Sequence, residues 1–192
     1  MSNRLVPERS RGKREKRRDS REDEFDRKVI SIRRVAKQRA GSKRLRFSAV
    51  VAVGDRNGRV CVALGRGGDT KSAIGKAAKY GSDHLTKVDL IGETIPHMVN
   101  AKYAAAKVML KPAGPGTGVI ASESVRSVLE VAGVKNVLSK QFGSSNSVTN
   151  AYCTYKALMM LNSKRIIARR NKYLQARLSK KGNETTPSTT EK

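Results

Sequence analysis

Seven cations fall within the fourteen residues from Arg33 to Arg46: Arg33, Arg34, Lys37, Arg39, Lys43, Arg44 and Arg46. Gln38, Gly41 and Ser42 are interleaved with them. Guanidinium groups at this density are phosphate chemistry. Their planar forks pair with phosphate oxygens and stack on bases. Gly41 lets backbone approach a ligand closely. Solubility alone does not call for so many like charges in one segment. Arg56, Asn57, Arg59 and Arg66, followed by Lys71 and Lys76, are expected to extend the same surface.

The charge of the whole chain agrees. There are 41 Lys and Arg against 16 Asp and Glu, a formal charge of +25 in 192 residues. Such an excess opposes compaction unless the partner is a polyanion, and nucleic acid releases counterions when its phosphates are neutralised. A membrane surface is the other polyanion, but no apolar run is long enough to span one. The stretch from Met1 to Arg21 has no apolar core of a signal peptide. A cytoplasmic protein is expected.

Catalytic chemistry finds no pattern. Asp55, Asp69, Asp83, Asp89, Glu93, Glu123 and Glu130 are scattered. The Gly-rich stretch Lys111–Ala121 lacks the Gly-Lys-Ser/Thr ending of a phosphate-binding loop. Cys61 and Cys153 stand in apolar surroundings and read as small buried side chains. With His84 and His97 they make no zinc spacing. No enzyme, metal or cofactor is expected. With few aromatics and no tryptophan, base stacking should be secondary to phosphate contact.

The elements that position these residues divide the chain. The stretch Arg9 to Asp26 is nearly all charged and cannot bury a core, so residues 1–24 are expected to form a basic disordered arm. Val29, Ile30, Ile32 and Val35 suggest a strand, then Arg34–Phe47 a basic loop. Phe47–Val53 and Val60–Leu64 suggest two further strands joined by a tight turn at Asn57-Gly58, since both residues tolerate positive φ. Asp69 or Thr70 should cap a helix running to about Leu85. Residues 25–86 then form a first domain. A second, 87–162, should hold strands at Val88–Ile91, Tyr103–Leu110 and Val134–Leu138. It should also hold a helix from Ser122 to Gly133 and a last helix with Val148, Ala151, Tyr155 and Leu158 on one stripe. Residues 163–192 read as a basic helical extension and flexible tail.

Gly54–Val60 (GDRNGRV), Lys111–Ala121 (KPAGPGTGVIA) and Val125–Asn146, taken together and in order, resemble the bacterial-type small-subunit ribosomal protein five family. The resemblance covers about Phe25 to Leu161. It implies an α+β protein with a domain resembling a double-stranded-RNA-binding fold, followed by an α/β domain. It further implies binding to small-subunit ribosomal RNA, contacts with small-subunit proteins four and eight, and roles in assembly and decoding accuracy. A place beside the channel by which messenger RNA enters the subunit is also implied. Gly118 and Arg126 match positions facing protein four. The sequence departs from the family pattern at Ser42 and at Ser122-Glu123, where glycines are usual. The alternative is a free RNA-binding or RNA-chaperone module outside the ribosome.

Overall fold

Alternation of side chains along the chain builds the first sheet. Strand β1 runs Asp26–Arg39, β2 Ser42–Gly54, β3 Arg59–Gly67 and β4 Thr86–Lys87, in the order β1-β2-β3-β4 with antiparallel pairing throughout. The computed structural model describes residues 25–161 and Ala168. The expected N-terminal arm, and the basic extension and tail apart from Ala168, lie outside the described residues.

The basic segment Arg34–Phe47 is not a loop. It forms the outer half of a long β-hairpin, paired in register from Arg34↔Phe47 to Arg39↔Ser42. Only Ala40 and Gly41 turn the chain, with Gly41 at φ +73. Pairing satisfies the backbone N–H and C=O groups that the two strands point at each other, and the charges project from both sides of the ribbon. A bulge between Val29 and Ser31 places Ile30 out of register, and this shifts which residues of β1 share a face with those of β2.

The inner half of the sheet is buried on both faces. Val51, Val53 and Ala63 pack on Ala77 of helix α1, Thr70–Asp83. Of the two glycines that weaken α1 by propensity, Gly81 is where the helix closes on the sheet: a Cβ there would lie 2.6 Å from the Val53 side chain. The opposite face, with Val50, Ala52, Val60 and Val62, packs on helices α2, Glu123–Ala132, and α3, Ser147–Met159. The core therefore runs without a break across residues 86 and 87.

The second sheet is β5 Val99–Tyr103, β6 Ala106–Pro112, β7 Val119–Ile120 and β8 Val137–Gly143, ordered β5-β6-β8-β7. Its inner residues Ala101, Val108, Leu110 and Val137 join Val125, Leu129, Ala157 and Leu158 in the same core. The fold is thus mixed α+β, with two sheets and three helices among the described residues.

Three boundaries differ from expectation. Val88–Ile91 is not a strand. Val88 is a buried anchor whose amide donates to the Gly58 carbonyl, and Ile91 makes only an isolated bridge with Thr94. Tyr103–Leu110 is broken by a turn, with Ala104 at φ 50, into β5 and β6. The strand expected at Val134–Leu138 begins at Val137, because Gly133, Val134 and Asn136 are engaged by the end of α2 and by the Glu93 carbonyl.

Helix starts also differ in detail. Asp69 and Ser122 hold the N-cap positions without a side-chain cap bond, whereas the Asn146 Oδ1 accepts from the Val148 amide. Cys61 and Cys153 are both buried free thiols, as their surroundings suggested. Burial pushes both thiols above the ordinary range.

Candidate nucleic-acid interface

The pleat of the hairpin sorts its cations. Residues directly opposite in register share a face, and alternate residues swap faces. One face carries Arg33, Lys37 and Arg39 from β1 with Arg44 and Arg46 from β2. Arg66 of β3, opposite Ser48, joins the same face. These six cations are exposed. All but Arg33 line, with Val35, Phe47 and Ser48, a concave cleft of about 440 Å³. The other face carries Arg34, Gln38 and Lys43 beside Ala36 and Leu45.

No carboxylate stands on β2 or β3, nor on β1 after Asp26. The cationic face is thus without an acid of its own strands to neutralise it. At the base of the ribbon, the Arg33 guanidinium donates to Asn146 Oδ1 at 2.6 Å. The residue that caps α3 therefore also fixes the ribbon's root. The Lys28 ammonium pairs with Glu130 of α2.

Such an array suits anions spaced along a chain. Arginine forks grip phosphate bidentately and cannot lose their charge. Same-face residues recur about every 6.8 Å along a strand. The deep, narrow major groove of A-form RNA excludes side chains, so the RNA features open to a ribbon of this kind are backbone, minor groove or irregular segments.

The expected residues at the other turn are placed elsewhere. Arg56, Asn57 and Arg59 lie at the end of β2 and β3 remote from the Gly41 tip. Arg56 pairs with Asp26 at 2.7 Å and Arg59 with Asp55 at 2.6 Å. The Arg56 and Gly58 amides donate to Val131 and Ala132 of α2. This turn holds the sheet to the second half of the chain, with its arginines engaged by acids. Its positive φ falls on Arg56 and Gly58, not on Asn57. The Asp55 carboxyl accepts from the Asn57 and Arg59 amides and from the Arg59 guanidinium. Burial raises its pKa, but those bonds and the Arg59 charge outweigh burial and hold it below the ordinary aspartate range.

Lys71 and Lys76 lie on the exposed side of α1, which covers the sheet face opposite the six-cation one. Arg126 is exposed on α2, as its spacing from Val128 and Leu129 required. Gly118 adopts φ +73 and its amide donates to Asn136 Oδ1 at 3.1 Å. A Cβ there would meet nothing within 4 Å, so backbone conformation fixes this glycine rather than crowding. Val35, Phe47 and Ser48 line the cleft but were missed from sequence. Register parity with the arginines was the signal that would have found Val35 and Ser48; Phe47 pairs with Arg34, on the other parity, and had no such signal.

Among the described residues, no group of three or more His, Cys, Asp or Glu could hold a metal ion, and no helix is long and apolar enough to cross a membrane.

Known proteins match most of the chain. Residues 25–89 match the family described as Ribosomal protein S5, N-terminal domain, and residues 101–171 match Ribosomal protein S5, C-terminal domain. The chain is 44% identical over 151 residues to the small ribosomal subunit protein uS5 of Thermus thermophilus, covering 79% of this chain and 93% of that one. It is 46% identical over 140 residues to the uS5 protein of Chloroflexus aurantiacus, covering 73% and 79%. It is 46% identical over 143 residues to that of Picosynechococcus, covering 74% and 83%.

Proposed function

The chain belongs to the ribosomal protein S5 family, and from that premise we propose that it is a structural constituent of the small ribosomal subunit. It binds small-subunit ribosomal RNA in the cytoplasm and performs no catalysis of its own. The observation that carries this reading is the six-cation face of the β1–β2 hairpin and β3, on strands that supply no opposing acid. A packed sheet holds the base of the ribbon, so RNA meets a surface already in shape, and little ordering entropy opposes binding.

The finer reading rests on the family. The first part of the chain, residues 25–86, acts as a double-stranded-RNA-binding-like unit, and 87–162 as the α/β unit that meets protein neighbours. Small-subunit proteins four and eight are those neighbours. Gly118 and Arg126 face protein four, where they bear on decoding accuracy. Messenger RNA passes near the basic surface where it enters the subunit, and the protein supports subunit assembly.

Co-sedimentation tests the reading. Tagged chain added to cells should travel with small subunits at moderate salt and be stripped only at high salt. A chain that binds naked RNA but stays at the top of the gradient would support the alternative, an RNA chaperone outside the ribosome.

A further inference from the structure

The outer face of the second sheet carries a separate set of cations around an exposed ring. Register aligns Asn100, Met109 and Lys140 across β5, β6 and β8, and Lys102, Lys107 and Phe142 in the next row. Lys111 and Leu138 form a third row. The alternate residues are buried under α2 and α3, so these rows face away from the core.

Four lysines, Lys102, Lys107, Lys111 and Lys140, are exposed on this face, and β5, β6 and β8 contain no acid. Phe142 stands half exposed, at 50%. Asn100, Lys102, Lys107, Met109 and Phe142 border a shallow groove of about 360 Å³.

Two facts need a common explanation. Four like charges repel one another across a flat sheet, and a phenyl ring is held in water among them. A polyanion with flat apolar faces answers both. Single-stranded nucleic acid offers a base to stack on the ring and phosphates at intervals for the ammonium groups. A duplex offers phosphates only, since its bases are already stacked. An acidic protein segment would neutralise the lysines but leave the ring against charge.

We propose that this sheet face binds a short single-stranded RNA segment, one base stacked on Phe142 and its flanking phosphates on Lys107 and Lys140. The site is distinct from the hairpin ribbon and does not depend on it.

The test uses the full-length chain with the ribbon silenced by Lys37→Ser, Arg39→Ser, Arg44→Ser and Arg46→Ser. A fluorescein-labelled oligouridylate of about ten nucleotides, within the usual span of single-strand sites, is titrated by anisotropy. Phe142→Leu should weaken binding about tenfold, the loss expected of one stacked base, and Phe142→Tyr should restore it. Lys107→Ser with Lys140→Ser should lower the log–log salt slope by about 1.4. A blunt duplex of equal length should be indifferent to Phe142→Leu. Unchanged oligouridylate affinity in Phe142→Leu, with circular dichroism intact, overturns the proposal. Equal losses for duplex and single strand also overturn it, since no base is then stacked. So does a loss of polyglutamate binding that matches the loss of oligouridylate, which would assign the face to an acidic protein. Because the ribbon is silenced throughout, failure here leaves the function of the ribbon untouched.

Discussion

Replacing Lys37, Arg39, Arg44 and Arg46 by serine removes four charges from the cleft-lining face of the hairpin. Each phosphate contact contributes about 0.7 to 0.9 to the slope of log affinity against log salt, so four should remove about 3. Raising salt from about 50 to 200 mM is a fourfold step, and three units of slope over that step amount to about 60-fold in affinity. The parent should therefore lose about 60-fold more affinity than the variant across the titration. Folding should be spared. Every residue from Arg33 to Arg46 is exposed, so no core contact is lost, and exposed strand substitutions stay within about 1 kcal/mol each. The control is Arg34→Ser with Lys43→Ser on the opposite face, which should change the slope much less than its share of the charge. The assay is fluorescence anisotropy of a labelled small-subunit ribosomal RNA fragment at several salt concentrations. If the two sets cost the same per charge removed, the pleat does not sort the RNA contacts and the reasoning fails.

Gly133→Ala should destabilise the fold by about 3 kcal/mol in urea unfolding: it combines left-handed strain with a Cβ placed 2.0 Å from the Arg56 carbonyl oxygen, displacing a turn that makes two backbone hydrogen bonds to α2. Gly118→Ala, with open space around it, should cost only about 1–2 kcal/mol of conformational strain and still enter subunits. Arg126→Leu should raise misreading in a reporter assay while RNA affinity stays within twofold or so, as expected of an exposed side chain outside the basic cleft; normal error rates with the variant present in subunits would refute this. The depressed pKa of Asp55 means that its contribution to stability is full above the unfolded-state pKa and disappears as pH falls through the folded one. Asp55→Asn should therefore flatten the acid limb of a stability–pH curve, and an unaltered limb would show that other carboxylates govern it.

Helices α1, α2 and α3 were readable because their apolar residues recur at helical spacing and punctuation marks their ends. Ser122 opens α2, and Gly133 closes it in the left-handed conformation. The ribbon was misread because arginines and lysines on both faces mask a period of two. The alternation of Arg33, Val35, Lys37 and Arg39 marks only one face, and the Ala40-Gly41 turn is too weak a signal to prompt a search for the partner strand. Val88–Ile91 misled in the opposite sense. Val88 and Leu90 pack on the core at isolated points without ladder pairing, and Ile91 is exposed. The ion pairs of Arg56 and Arg59 depend on Asp26 and on the fold of the Asp55 turn. Composition could report the charges of those arginines but not that they were already engaged.

The sheet shared between two sets of helices also imposes a timetable. The face against α1 can close once the chain has passed about residue 85, whereas Val50, Ala52, Val60 and Val62 wait for partners as distant as Leu158. At ordinary synthesis rates that interval is roughly 4–15 s. For that time a newborn chain presents one finished face and one adhesive face, beside a cationic ribbon able to capture any nearby RNA.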